Sequence, residues 1–176
     1  MYLNRIIAFS FILLFASSLF SQTTFGIHVG RNASGLSYDE SKTNGWTIKD
    51  GWAFGINRSQ RLNEDFYLNS KLQYSEKGLN DYNEDINFPY VDLLNTVSYR
   101  PFSFIGFDLG LNVGRLVINP TEYIHPQSGF EFGVLSGISM KYKEVNFSAH
   151  YNHGLSEIKF RKNLSTSKIF NSNFQL

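Results

Sequence analysis

From Ile105 to Arg115 the chain reads Ile-Gly-Phe-Asp-Leu-Gly-Leu-Asn-Val-Gly-Arg. Ile105, Phe107, Leu109, Leu111 and Val113 fall on one parity. Gly106, Asp108, Gly110, Asn112 and Gly114 fall on the other. A strict period of two places these residues on opposite faces of an extended strand, whereas a helical repeat would scatter the apolar set around its circumference. Gly, Asp and Asn are poor strand formers. Their regular recurrence predicts a strand held by its surroundings, with one apolar face and one small, polar, crowded face.

The same pattern recurs along the chain. It predicts strands at 24–32, 51–60, 66–76, 88–100, 104–116, 129–142, 145–153 and 168–176. Polar stretches at 33–50, 77–87, 117–128 and 154–167 read as long loops. Short turns are expected at Leu62-Asn63-Glu64-Asp65, at Arg100-Pro101-Phe102-Ser103 and at Lys143-Glu144. Long loops follow the odd strands and short turns the even ones. That alternation is the layout of an eight-stranded, antiparallel, up-and-down transmembrane β-barrel, with short turns facing the periplasm and longer loops facing outward. One strand is irregular: Asn95 falls on the apolar parity and Leu94 on the polar one.

Period two alone fits a soluble exported barrel as well, a lipocalin-like binder of small molecules with an apolar cavity. In that alternative the apolar parity faces in and the outer face is rich in Lys and Glu. Here the polar parity is mostly Gly, Ser, Asn and Thr, which suits a narrow lumen better than a solvated surface. The apolar parity is nearly free of charge at mid-strand, where a lipid-facing Arg or Lys would cost about 2–4 kcal/mol. Tyr74, Tyr99, Phe102, Phe104, Phe130, Tyr142 and Tyr151 near strand ends fit interfacial girdles. A membrane barrel is therefore the expected fold. Lys71, Asp92, Arg100, Asp108, Arg115, Glu131 and Lys141 are its candidate lumen network, read as salt bridges that fill a narrow barrel.

Composition changes the picture in three ways. The chain has 17 Phe, 10 Tyr, 14 Gly and 4 Pro, a strand-and-turn composition, and it has no Cys, so no disulfide framework is available. Its formal net charge of +1 gives no electrostatic case for nucleic acid. The start combines Arg5, the apolar run Ile6 to Ala16 and the serine-rich Ser17 to Gln22, which reads as a secretory signal peptide over residues 1–21. Residues 22–176 are then one barrel domain, with outer-membrane lipid as its surroundings and the barrel assembly machinery as its partner during biogenesis.

The chain offers little catalytic chemistry. His28, His150 and His153 fall near the first and seventh strands, where the chemical alternatives are a metal site or a hydrolase pair with Ser156. No nucleophile motif accompanies them, and polar lumen or loop residues are the preferred reading. No catalytic residue, metal or cofactor is expected. Function is expected to be non-enzymatic, structural or carried by ligand or partner binding through the long outer loops.

Three stretches resemble one family: Gly26-Ile27-His28-Val29-Gly30-Arg31-Asn32, Leu68 to Gly78, and His150-Tyr151-Asn152-His153-Gly154-Leu155. They are similar to the Gly-rich first strand and the strand-three and strand-seven ends of the PorT-like outer-membrane β-barrel family of Bacteroidetes. The resemblance implies an eight-stranded barrel in a Gram-negative outer membrane, reached through the secretory route. Members of that family finish strand eight with several more residues and a terminal aromatic. This chain stops at Phe174-Gln175-Leu176, so the last strand is expected to be short or truncated.

Overall fold

In a computed structural model, residues 22–38, 48–80, 85–117, 129–162 and 165–175 are described; the expected signal peptide lies outside them. The strands are β1 Thr23–Tyr38, β2 Lys49–Arg61, β3 Phe66–Asn80, β4 Asp85–Phe102, β5 Ile105–Leu116, β6 Phe130–Tyr142, β7 Val145–Lys162 and β8 Ser165–Gln175. Each pairs antiparallel with its sequence neighbours, and β8 returns to β1 to close the barrel. The closing seam runs from Asn32↔Gln175 to Tyr38↔Ile169. Among the described residues, Thr23–Arg31 of β1 pairs with β2 alone.

The apolar parity faces out. Phe107, Leu109 and Leu111 of β5 are exposed, as are Phe54 and Ile56 of β2, Val97 of β4, and Phe132, Ile138 and Met140 of β6. Ile27 is 89% exposed. On β5 the alternation is complete, with Gly106, Asp108, Asn112 and Gly114 buried between exposed neighbours. A soluble lipocalin would show the reverse, so the alternative of an apolar cavity is excluded. The apolar band on β5 runs from Ile105 to Val113, about 20 Å of height for a strand tilted by roughly 40°.

Two polar residues on the outer face, Ser70 and Asn95, answer each other. Asn95 does point outward, as its parity requires. Its Oδ1 accepts a 2.7 Å hydrogen bond from Ser70 Oγ, its partner across the β3–β4 ladder. Leu94 turns inward and is buried with Leu135. Backbone approach between strands is close in places. A Cβ on Gly110 would lie 2.1 Å from the Asn95 carbonyl oxygen, so β5 can only lie this near β4 with glycine there.

Aromatic residues mark both rims. Phe66 packs on Tyr99 with ring centroids 5.1 Å apart, and Phe102 on Phe104 at 6.1 Å, toward the short-turn end. Phe54 and Tyr74, at 5.2 Å, belong to the loop end. Turn chemistry is local. Asn63 Oδ1 accepts from the amides of Asp65 and Phe66, at 3.0 and 2.9 Å, and so fixes the β2–β3 turn. Lys143 opens the β6–β7 hairpin in the left-handed region at φ 53°.

The sequence reading is corrected at the loop end. Residues 33–38, 49–50, 77–80, 85–87, 154–162 and 165–167 were expected in loops and are strand. Lipid imposes period-two hydrophobicity only within the membrane. Above it a two-stranded ribbon can be polar on both faces, and the signal vanishes while the pairing continues.

Candidate functional site

The barrel interior is built from the small parity, and its charges gather in two clusters. The first lies toward the loop end. Lys77 follows Gln73 and Ser75 on the inward parity of β3, and it is 1% exposed. Its Nζ donates to Asp92 Oδ1 on β4 at 3.1 Å and to Glu131 Oε1 on β6 at 3.0 Å. Ser75 Oγ donates to Asp92 Oδ2 at 2.5 Å, and Asn152 Nδ2 to Glu131 Oε1 at 3.2 Å. The Lys77 ammonium also stands 4.6 Å from the centre of the Tyr90 ring. Gly114 leaves room for the acid: a Cβ there would meet Asp92 Oδ1 at 2.3 Å.

The second cluster surrounds Asp108 on β5. His150 Nε2 lies 2.8 Å from Asp108 Oδ2. The hydroxyls of Ser98 and Ser139 both donate to Oδ1, the latter at 3.3 Å. Ser98 in turn accepts from Asn69 Nδ2 at 2.6 Å, and Asn69 Oδ1 accepts from Ser59 at 2.7 Å. Lys71 Nζ donates to Ser148 at 3.2 Å on the far wall. His28 Nε2 is 3.0 Å from Gln73 Oε1.

The sequence-expected lumen residues therefore separate. Asp92 and Glu131 meet on Lys77. Asp108 and Lys71 lie in the lumen without touching that pair. Arg100 stacks over Tyr67, 4.6 Å from the ring centre, and also lies against Gly106. Lys141 is on the lumen parity but exposed beside the Lys143-Glu144 turn. Arg115 is a correction: it has the parity of Leu111 and Val113, points outward, and stands 5.6 Å from the centre of the Phe130 ring. Odd numbering on β5 is the lipid-facing set, and parity excludes Arg115 from the lumen. Lys77 falls in a stretch whose polar composition predicts a loop, although it continues the inward series Gln73, Ser75 by one more step of two.

Among the described residues the histidines form no hydrolase pair with Ser156. His150 is buried in the lumen, whereas His153 lies outside and stacks on Tyr151 at 6.5 Å. Ser156 Oγ accepts the Phe132 amide at 2.7 Å. Among the described residues no group of three or more His, Cys, Asp or Glu is placed to hold a metal ion, and no helix is long and apolar enough to cross a membrane.

A closed antiparallel barrel with apolar residues outside and paired charges inside belongs in lipid. Soluble monomers rarely expose so continuous an apolar surface, and closure satisfies strand backbones in hydrocarbon. The chain is an outer-membrane β-barrel. No protein-family model and no curated protein matches it. Among solved structures it is similar to Ail, the attachment invasion locus protein of Yersinia pestis, at 13% identity and a TM-score of 0.49, covering 86% of this chain and 94% of that one. It is also similar to OprG of Pseudomonas aeruginosa, at 10% identity and a TM-score of 0.48, covering 86% and 95%. A third is Neisserial surface protein A, at 16% identity and a TM-score of 0.44, covering 88% and 98%.

Proposed function

We propose that this chain is a non-enzymatic, PorT-like barrel of a Bacteroidetes outer membrane, exported by the signal peptide at residues 1–21. Its lumen is closed, and its specific contacts with a surface ligand or partner subunit are made at the loop end. One observation supports the reading above others: Lys77, Asp92 and Glu131 cross-link three strands through the interior, each nearly sealed from solvent. A pore would line its walls with solvated charges; here they are held against one another away from solvent. Activity then belongs to the ends of the barrel. The β3–β4 and β7–β8 ribbons continue past the last β5–β6 and β6–β7 pairs, Arg115↔Phe130 and Gly133↔Gly154.

The test is planar-bilayer recording of the refolded protein, with the heat-modifiable gel shift confirming the barrel. No stepwise conductance is expected. Steady ion conduction by the wild-type barrel would overturn the closed-lumen reading. Replacing 79–86 or 157–168 by a short turn is expected to keep the gel shift while abolishing cross-linking of the barrel to its surface partner on cells. Unchanged cross-linking would refute the loop-end assignment.

A further inference from the structure

The lipid-facing series of β3 is Phe66, Leu68, Ser70, Leu72, Tyr74, and that of β4 is Val91, Leu93, Asn95, Val97, Tyr99. Ser70 and Asn95 are the middle members, and they pair across the ladder. Ser70 is four residues from the aromatic at either end of its series, about 10 Å of height on a tilted strand. The pair therefore sits near the centre of the bilayer, on a wall that is otherwise apolar. We propose that this wall is the contact between two copies of the barrel, with the Asn95 amides of the two copies hydrogen-bonded to each other across it.

The Ser70 contact leaves the amide incomplete. A carboxamide has two N–H donors and two acceptor positions. Among the described residues the Ser70 hydroxyl is the one group bonded to the Asn95 amide, at 2.7 Å. With the hydroxyl donating to Oδ1, both N–H groups and one lone pair stay open. With the amide turned to donate to the hydroxyl, one N–H and both lone pairs stay open. Either way round, at least one donor and one acceptor face hydrocarbon, which can answer neither. Ser136 also faces outward at the middle of β6, but a lone hydroxyl can return its proton to a carbonyl of its own backbone.

The open groups select the partner. A carboxamide is its own complement: one N–H and one C=O match the same two groups on a second carboxamide, and two hydrogen bonds close together. Both copies enter the membrane with their loops outward, so a two-fold axis relating them runs along the bilayer normal. Such an axis sets Asn95 against Asn95 at equal depth. A different membrane protein would have to present an amide at that one depth on an apolar wall; a second copy has it by symmetry. The surroundings suit the same contact. Leu72, Val97, Leu109 and Leu111 are exposed around the pair and carry no charge. Close apolar packing about a shared polar pair is how segments associate in lipid. The contact is independent of the loop end and of the lumen.

The test is cross-linking of the purified barrel in vesicles with lipid in large excess. The chain has no Cys, so a single introduced thiol reports one wall. Leu111→Cys lies beside Asn95 on the β4–β5 ladder, and Ile27→Cys lies on β1, three strands away. A short bis-maleimide is expected to give a dimer from Leu111→Cys and nothing above background from Ile27→Cys. Adding Asn95→Leu to Leu111→Cys is expected to lower the association constant about tenfold. Asn95→Gln keeps the amide and is expected to recover most of it. The heat-modifiable gel shift confirms that each variant is a barrel. Monomer alone from Leu111→Cys, or equal cross-linking from Ile27→Cys, would overturn the contact. An undiminished dimer with Asn95→Leu would overturn the amide pair that carries it. Single-molecule photobleaching of the wild-type chain, labelled at its amino terminus, is expected to show two steps. One step alone would overturn the dimer even where a variant fails to fold.

Discussion

Lys77→Met is the sharpest perturbation of the lumen. The methionine keeps most of the volume and removes the ammonium shared by Asp92 and Glu131, at 3.1 and 3.0 Å. Asp92 retains the Ser75 hydroxyl and Glu131 the Asn152 amide, so neither acid loses every partner. Both lose their positive charge in an interior where Lys77 and Asp92 are 1% exposed. Removing one partner from a buried ion pair costs about 3–5 kcal/mol. Against a total stability of roughly 5–15 kcal/mol, that is about a fifth or more. Urea titration of the barrel in lipid vesicles, followed by gel shift and tryptophan fluorescence, measures the loss. The triple variant Lys77→Met, Asp92→Asn, Glu131→Gln removes the stranded charges and is expected to recover most of it, since neutral replacements of buried pairs are often tolerated. If Lys77→Met alone unfolds within about 1 kcal/mol of the wild type, a figure below the range for a broken buried pair, the plug does not hold the barrel together as argued.

Other substitutions test the remaining assignments by the same titration. Leu109→Arg is expected to cost about 2–4 kcal/mol, the penalty for a cation facing mid-bilayer lipid; a negligible loss would refute the outward parity. Ser70→Ala leaves the Asn95 amide unanswered on the lipid face and is expected to cost about 1–3 kcal/mol. Ser70→Ala with Asn95→Leu should restore stability, and continued loss would show that the pair does not matter. Gly110→Ala should destabilise by about 1–3 kcal/mol through the clash with Asn95; wild-type stability would show that the strands can part freely. Lys143→Gly should stabilise the hairpin by about 1 kcal/mol by relieving a left-handed lysine, and a loss would place the turn in another conformation.

Much of this barrel is legible in the order of its residues. Ile105 to Gly114 alternates without a fault, and the structure turns that alternation into a wall with lipid on one side and a packed lumen on the other. The single lapse on β4 had a partner waiting: Asn95 faces Ser70 across the ladder, which only the register discloses. Arg115 was legible and misplaced, since its parity matches Val113. Lys77 was hidden for a different reason. Hydrophobic alternation fades where the strand leaves the bilayer, so a polar run at 77–87 looks like a loop although β3 continues to Asn80. Charge pairing was beyond the pattern altogether. Nothing in the spacing of Lys77, Asp92 and Glu131 says that three strands bring them to one point.

The distance along the chain between those groups shapes how the barrel can enter a bilayer. Glu131 is 54 positions from Lys77, and their meeting requires the intervening β4 and β5 to be in place. An unrolled sheet spread in hydrocarbon would leave Lys77 with Asp92 of the adjoining strand but present Glu131 to lipid with no counter-charge, at a heavy penalty. Curling and insertion must therefore proceed together, and half-inserted sheets are poor resting states. The ionic cross-link is a latch that engages late, rewarding the finished cylinder and no earlier arrangement.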